Sequence, residues 1–110
     1  MERIKQYTIY WVTLDPTKGS EIAKTRPCVV VSPNELNDYL NTVIIVPLTS
    51  TLRAYPFRLQ CEVAGKKGEL ALDQIRTVDK NRLNISNPLD KLSFNEIVSL
   101  QNLLNEMLCQ

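Results

Sequence analysis

Apolar residues in the first half of the chain form three short runs, at residues 8–14, 27–31 and 42–46. The first run is β-branched and aromatic and is stopped by the turn residues Asp15 to Gly19, which predicts a strand. The other two runs are continuously apolar and are bounded by prolines and polar residues. This pattern is typical of strands that are buried on both faces or that lie in a small barrel.

A short helix is predicted between the second and third strands. Ser32 is followed by Pro33, a residue favoured at the first helical position, and by Glu35 three residues on. This spacing is typical of a capping box, in which the serine hydroxyl and the glutamate each accept a backbone N–H. We therefore expect Ser32 to cap the helix.

The second half of the chain begins with a strict alternation of apolar and polar residues over 57–63, the period of a half-exposed strand. Residues 65–68 predict a hairpin turn. Two further short strands are expected at 70–72 and 75–78, with a polar interruption between them. The loop at 84–90 contains a proline and is expected to end the strands.

The last predicted element is a helix that begins at Phe94. Ser93 and Glu96 form a second capping box, with Leu92 and Ile97 placed around it as a hydrophobic staple. Apolar residues then recur at spacings of three and four: Ile97, Leu100, Leu103, Leu104, Met107 and Leu108. Strands followed by one terminal helix predict a single domain over residues 1–110, with an α+β or small-barrel architecture.

Composition excludes several mechanisms. The formal net charge of +1 gives no strong field for nucleic acid, so any RNA site must be a local patch. The chain contains no histidine, the side chain most suited to proton transfer near neutral pH. Nuclease and protease mechanisms that depend on histidine are therefore excluded.

The cysteines and the chain start bear on location and cofactors. Cys28, Cys61 and Cys109 lie far apart without C-x-x-C spacing, which argues against a disulfide framework and a zinc site. We interpret them as reduced packing residues and expect no metal and no cofactor. The first six residues lack the apolar stretch of a signal peptide, and no run approaches a membrane span. We therefore expect a cytoplasmic protein without a membrane partner.

Polar residues that border the apolar strands are the candidates for chemistry. Loops on a rigid sheet often carry sites, so these residues would form one site if the barrel brings the strand ends together. Arg26 has a planar fork suited to phosphate and to a phosphorane-like transition state. From position alone, however, the favoured interpretation is that Arg26 is an ordinary surface arginine. In the same way, Thr49 is more simply interpreted as a loop residue whose hydroxyl bonds nearby backbone.

The remaining polar candidates have similarly plain interpretations. Without histidine, the hydroxyls of Ser50 and Thr51 lack their usual activating base, which disfavours a serine hydrolase. Glu21, Asp73 and Gln74 carry groups that accept a proton or hold a base edge. A carboxylate near an arginine more often forms a simple ion pair.

Aromatic residues provide the candidate stacking surfaces. We expect Trp11 to be a core residue, because a lone tryptophan in a strand is usually buried. Tyr55 and Phe57 lie beside Arg53 and Arg58 in a predicted loop. This interleaving of aromatic and basic side chains favours the stacking of bases.

Taken in order, these segments resemble the MazF/PemK toxin family. The resemblance rests on Tyr10-Trp11 with Leu14-Asp15-Pro16, Gly19-Ser20-Glu21, Lys24-Thr25-Arg26-Pro27, Val29-Val30-Val31-Ser32-Pro33, Val46-Pro47-Leu48-Thr49-Ser50, Tyr55-Pro56-Phe57 and Leu72-Asp73-Gln74-Ile75-Arg76-Thr77. Their joint order covers nearly the whole chain. It implies a compact SH3-like barrel with added helices, a homodimer, and a sequence-selective, metal-independent endoribonuclease that cleaves single-stranded messenger RNA as the toxin of a type II toxin-antitoxin system.

The resemblance also implies a catalytic pair and a reaction. In the branch that this chain resembles, the catalytic arginine and threonine fall on Arg26 and Thr49. The implied reaction is attack of a ribose 2′-oxygen on the adjacent phosphorus, which leaves a 2′,3′-cyclic phosphate. A second branch uses histidine and arginine where this chain has Ser20 and Ala71, so that version is excluded. The general base is left open, with Glu21 as one candidate.

Further contacts and partners are implied in the same way. The candidates for the base or for substrate contact are Glu21, Ser20, Ser50, Asp73 and Gln74. The candidates for RNA binding are Lys18, Lys24, Arg53, Tyr55, Phe57, Arg58 and Arg76. A cognate antitoxin with an acidic, partly apolar tail is expected to cover the RNA groove, with DNA binding at most indirect through that antitoxin. The family's common Gly-Asp before the first strand is Tyr7-Thr8 here, which predicts a different loop beside the site.

Two alternatives stay open at this point. A gyrase-poisoning toxin of a related barrel fold binds a protein target and cuts nothing, and it lacks the T-R-P and L-T-S segments. A noncatalytic SH3-like interaction module accounts for the strands and the helix but leaves the ordered polar segments unexplained.

Overall fold

The computed structural model describes residues 3–109, which form mostly β-strands, with one short helix after the second strand and one long helix at the end. In chain order the elements are β1 Thr8–Thr13, β2 Thr25–Val30, α1 Asn34–Tyr39, β3 Thr42–Thr49, β4 Arg58–Val63, β5 Lys66–Ala71, β6 Arg76–Asp79, β7 Asp90–Lys91 and α2 Phe94–Leu108. Single turns of 3-10 helix at Leu72–Gln74 and Lys80–Arg82 flank β6.

β3 is the central strand of one antiparallel sheet with the order β4-β5-β3-β2-β1-β7. The start of β3, from Thr42 to Ile45, pairs with β6, whereas its end at Leu48 and Thr49 pairs with β5. Its other edge pairs with β2. The sheet curls into a half-barrel, so the predicted α+β class with a barrel-like sheet and a C-terminal helix is confirmed.

Two apolar cores lie on the two faces of this sheet, because neighbouring strand residues point in opposite directions. Tyr10 and Val12 of β1 belong to one core, together with residues of β2 and β3 such as Cys28 and Ile45. Ile9 of β1 belongs to the other core, where Leu100 of α2 covers the sheet. The terminal helix therefore closes one face of the half-barrel.

The cap of α2 agrees with the sequence prediction. The Ser93 hydroxyl accepts the Glu96 amide at 3.2 Å, and the Glu96 carboxylate accepts the Ser93 amide at 2.8 Å. The reciprocal pair fixes the start of the helix at Phe94. Of the predicted apolar stripe, Leu100 is fully buried, while Leu108 near the end of the helix is exposed.

The predicted cap of α1 is wrong, although the helix itself is present. Pro33 occupies the N-cap position and makes no side-chain cap. The Ser32 hydroxyl is buried, where it bonds the Asn37 side chain at 2.5 Å and accepts the Ile44 amide at 3.0 Å. Ser32 thus ties α1 to β3, an interaction that depends on the distant strand.

Two strand boundaries also differ from the predictions. The hairpin turn lies at Ala64 and Gly65, whose φ values of 51° and 79° are those of a type I′ turn, so β5 already begins at Lys66. The predicted loop at 84–90 ends in β7, which pairs with Thr8 and Ile9 of β1. A two-residue strand has no period that the sequence pattern can show.

Candidate active site

Arg26 and Thr49 lie side by side at the ends of two paired strands. β2 and β3 are registered with Cys28 opposite Pro47, and the same register continued by two residues sets Arg26 opposite Thr49. Both residues line one pocket of about 350 Å³. The structure thus brings together the two residues that the sequence resemblance predicts as a catalytic pair.

The opposite wall of this pocket is the hairpin between β4 and β5. Its lining residues are Val63, Ala64, Lys66, Lys67 and Gly68. At Gly68 a Cβ atom would lie only 2.9 Å from Leu48 Cδ1, which is too close for undisturbed packing. The absence of a side chain there lets the hairpin approach β3.

The Arg26 guanidinium is half-buried and points one edge at the protein. Its Nε donates to the Ala23 carbonyl at 3.0 Å. Among residues 3–109, none of the ion pairs involves Arg26 and no hydrogen bond from its terminal nitrogens is found. An arginine oriented in this way presents its two terminal NH2 groups, whose planar arrangement matches the oxygens of a phosphate.

Thr49 is also half-buried, and its hydroxyl oxygen accepts the Thr51 amide at 3.2 Å. This bond orients the oxygen and leaves the hydroxyl proton to donate. Ser50 is exposed and lines the same pocket. Arg26, Thr49 and Ser50 therefore present one guanidinium and two hydroxyls where the paired ends of β2 and β3 meet.

The expectation that Trp11 is a core residue is wrong. Its side chain is 39% exposed and lines the pocket, whereas the neighbouring Tyr10 is buried. Ile9 lies on the same face of β1 as Trp11 and is covered by the core beneath α2. Trp11 extends beyond that cover, so the usual burial of a strand tryptophan does not apply.

Lys66 and Lys67 are pocket residues that sequence reasoning missed. The sequence pattern predicts a hairpin turn at these positions, whereas both residues belong to β5 and line the same pocket as Arg26. Two adjacent lysines give this pocket a local positive charge in a chain that is almost neutral overall. Their proximity to Arg26 follows from the curl of the sheet, which the sequence pattern does not encode.

The loop between β1 and β2 contains several predicted contact residues, but the hydrogen bonds of Glu21 and Lys24 are made to other residues of the same loop. The Glu21 carboxylate accepts the Lys18 amide at 2.9 Å, and the Lys24 amide donates to Asp15 at 3.0 Å. Neither Glu21 nor the exposed Ser20 lines the pocket. Gln74, in the 3-10 turn between β5 and β6, accepts the Ile22 amide at 3.3 Å.

Arg58 and Asp73 form an ion pair, as the plain interpretation of the sequence expects. Arg58 Nε lies 2.6 Å from one Asp73 oxygen, and its Nη2 lies 3.0 Å from the other. Hydrogen bonding to Arg58 lowers the pKa of Asp73, and the same contact raises the pKa of Arg58. Arg58 also contacts Glu69 at 3.3 Å and lies 5.3 Å from the Tyr55 ring centroid.

The other RNA-binding candidates differ in exposure. Arg53 and Tyr55 are exposed in the loop between β3 and β4, whereas Phe57 is half-buried against the core beneath α2. Arg76 Nη1 donates to the Leu14 carbonyl at 3.4 Å. The loop therefore presents one aromatic and one basic side chain to solvent.

Within residues 3–109, no group of three or more histidine, cysteine or acidic side chains is arranged to hold a metal ion. No helix in that part of the chain is long and apolar enough to span a membrane. Cys28 and Cys61 are buried, and desolvation raises the pKa of each thiol to about 12. Cys109 is exposed, and all three cysteines are free.

A sequence model of "PemK-like, MazF-like toxin of type II toxin-antitoxin system" matches residues 5–108. The chain belongs to this family. An endoribonuclease MazF of Staphylococcus epidermidis is 32% identical over 108 residues, which cover 93% of this chain and 88% of that protein. The endoribonuclease toxin MazF of Escherichia coli K12 is 37% identical over 70 residues. That match spans 64% of this chain and 63% of the E. coli protein.

Solved structures of MazF proteins share the fold. The crystal structure of MazF from Deinococcus radiodurans has a TM-score of 0.86 and 22% sequence identity over the full length of both chains. An endoribonuclease in complex with its cognate antitoxin, from a Mycobacterial species, has a TM-score of 0.77 and 20% identity. That alignment covers 98% of this chain and 95% of the other.

Proposed function

We propose that this chain is the toxin of a type II toxin-antitoxin system and an endoribonuclease that cleaves single-stranded messenger RNA at selected sequences. The observation that carries the proposal is the meeting of Arg26 and Thr49 in one pocket with Lys66 and Lys67 opposite. The relatives named endoribonuclease MazF support the activity.

The proposed reaction begins with attack of a ribose 2′-oxygen on the adjacent phosphorus. The bond to the 5′-oxygen breaks, the 2′-hydroxyl loses its proton to water, and the leaving 5′-oxygen takes up a proton from water, so a 2′,3′-cyclic phosphate and a 5′-hydroxyl remain. Arg26 neutralises the charge that grows on the nonbridging oxygens, and the Thr49 hydroxyl donates a hydrogen bond to the same phosphate. The described lining residues include no carboxylate, so positioning and charge stabilisation dominate.

RNA recognition is proposed to depend on the loops around this pocket. Trp11 offers a partly exposed aromatic face inside the pocket, and Tyr55 offers another in the loop after β3. Unpaired bases commonly stack on such side chains while their edges form hydrogen bonds, so a single strand fits better than a duplex.

Two partners belong to the proposal: a second copy of the chain and a cognate antitoxin. Phe94 and Val98 are exposed one turn apart on α2, which gives an apolar face for a homodimer. Antitoxin binding is supported by the neighbouring structure of an endoribonuclease with its cognate antitoxin. We expect light scattering to show a dimer at micromolar concentration, and the antitoxin to block RNA cleavage.

The activity is tested by incubating purified protein with RNA in excess EDTA. We expect cutting to continue and the upstream product to carry a 2′,3′-cyclic phosphate. RNA with deoxyribose at the cleaved position should stay intact, because it lacks the nucleophile. Loss of cutting in EDTA with recovery in magnesium would refute the metal-independent reaction. A folded protein that cuts no RNA would favour the gyrase-poison alternative.

A further inference from the structure

We propose that the buried Glu69 is a positioning residue that holds the loop between β3 and β4 and thereby sets which bases the site accepts. This loop, residues 50–57, carries Arg53 and Tyr55 on the β3 side and ends at Arg58 in β4. The inference rests on the proposed cleavage of RNA. Glu69 itself touches no substrate, because its side chain is fully buried.

The Glu69 carboxylate binds the loop backbone directly. One oxygen accepts the Ala54 amide at 3.0 Å and the Arg53 amide at 3.2 Å. The other oxygen lies 3.3 Å from Arg58 Nη1. In the sheet, Glu69 stands opposite Thr49 of β3 on one side and opposite Gln60 of β4 on the other.

This carboxylate is unusual for its place in β5. Its neighbours Gly68, Leu70 and Ala71 are all buried, and an apolar side chain would suit such a position. A buried carboxylate is tolerated only when hydrogen bonds and an opposite charge offset its desolvation. Here those bonds are made with two loop amides and one guanidinium, so Glu69 stabilises the conformation of the loop.

The loop needs such support because part of its backbone is left-handed. Ala54 has φ 54° and Phe57 has φ 61°, values that non-glycine residues rarely adopt. The Glu69 bond to the Ala54 amide fixes one of these two residues. Without it, the loop would relax toward more favourable backbone angles and change the positions of Arg53 and Tyr55 relative to Thr49.

Arg58 extends the same support to the aromatic side chain. It is held by Asp73 on one edge and by Glu69 on the other, and its guanidinium lies over the Tyr55 ring. The acidic pair thus fixes Arg58, and Arg58 in turn fixes Tyr55. Because the loop starts directly after Thr49, its position relative to the reacting phosphate determines which neighbouring base meets Tyr55.

The test compares Glu69→Gln with the wild type and with Glu62→Gln, a matched change at an exposed residue of the adjacent strand. Glutamine keeps the size and one acceptor oxygen but turns its NH2 group toward Arg58 or toward the loop amides. Losing a hydrogen bond to a charged group should raise amide exchange at Arg53 and Ala54 about tenfold. KM should rise and base preference should broaden, with kcat changed little. The Glu62→Gln protein should match the wild type in all three readouts.

Each outcome decides a separate part of the inference. Unchanged exchange at Arg53 and Ala54 in folded Glu69→Gln would overturn the clamp, whether or not RNA is cut. Faster exchange with unchanged KM and base preference would overturn its role in recognition. If the wild type cuts no RNA, the proposed function fails while the exchange result still tests the clamp. If Glu69→Gln does not fold, Arg58→Lys is used instead, because lysine cannot make the two-pronged contacts of Arg58. Unaltered amide exchange at Arg53 and Ala54, together with unaltered base preference, in Arg58→Lys would refute the proposal.

Discussion

Arg26 and Arg58 occupy comparable places in the fold, each within the first two residues of a strand, but their guanidinium groups have opposite surroundings. Arg26 has one bond to a backbone carbonyl and is in no ion pair within residues 3–109. Arg58 is bound by the carboxylates of Glu69 and Asp73. A free guanidinium is available to a phosphate, whereas a neutralised one serves to hold the protein together.

The comparison shows that the chemistry of an arginine depends on the carboxylates placed beside it. Asp73 stands fifteen residues after Arg58 in the chain and reaches it through the turn between β5 and β6. Nothing equivalent approaches Arg26 from the hairpin, which contributes two lysines instead. We therefore propose that Arg26 binds phosphate and that Arg58 supports the loop.

The largest expected effect follows from removing the free arginine or its hydroxyl partner. Arg26→Ala and Thr49→Ala should each lower the cleavage rate about a hundredfold or more, because each removes a donor to the transition state. Arg26→Lys should not restore full activity, since a point charge cannot replace the two-pronged contact. Cleavage and melting temperature should be measured on the same preparations. A folded variant with near wild-type cleavage would remove that residue from the catalytic pair.

The part of this site that could be predicted is the part with a local signal. Arg26 and Thr49 stand at recognisable strand ends, and Ser93 with Glu96 announces a helix start within four residues. Their roles as neighbours required the strand register, which short apolar runs do not specify. The exposure of Trp11 and the placement of Lys66 required the curl of the whole sheet.

The contacts that support the loop between β3 and β4 could not be predicted from the sequence. Glu69 lies next to a run of small and apolar residues, and its sequence context does not indicate that it accepts the amides of Arg53 and Ala54. The sequence predicts on general grounds that Asp73 pairs with an arginine, but it identifies neither Arg58 as that arginine nor Glu69 as the second carboxylate. Buried polar contacts between distant segments depend on the completed fold.

Removing the supporting arginine should affect stability first. Arg58→Ala leaves the buried Glu69 without its cation, a change that costs on the order of 3 kcal/mol in the free energy of unfolding. Denaturant unfolding would measure this loss beside Arg26→Ala, which should cost less than about 1 kcal/mol because it removes one partly exposed hydrogen bond. Equal losses in the two variants would erase the proposed difference between the arginines.

Adding a methyl group at Gly68 should narrow the pocket without touching either arginine. Gly68→Ala places a Cβ atom 2.9 Å from Leu48 Cδ1, so Leu48 must shift. Overpacking of this kind costs about 1–3 kcal/mol in stability. We expect RNA affinity to fall, with the effect measured by quenching of Trp11, the only tryptophan of the chain. Unchanged stability and affinity would show that the hairpin does not form a tight wall.

The smallest expected effect concerns the reactivity of the cysteine thiols. Burial raises the pKa of Cys28 and Cys61 to about 12, so almost no thiolate forms at either residue at pH 8. The exposed Cys109 should react with a disulfide reagent quickly, and the other two only after unfolding. Fast reaction of more than one thiol in the native protein would contradict the packing described here.

The contrast between the two arginines is tested most directly by nitrogen-15 NMR of their side-chain Nε–H groups. The ligand is an RNA that the wild type cuts, prepared with 2′-O-methyl groups so that it binds without reacting. Substitution of each arginine by lysine assigns its signal. We expect the Arg26 signal to shift on saturation with this RNA and the Arg58 signal to stay near its free position, because its carboxylate partners remain bound. A shift of Arg58 with no change at Arg26 would contradict the account.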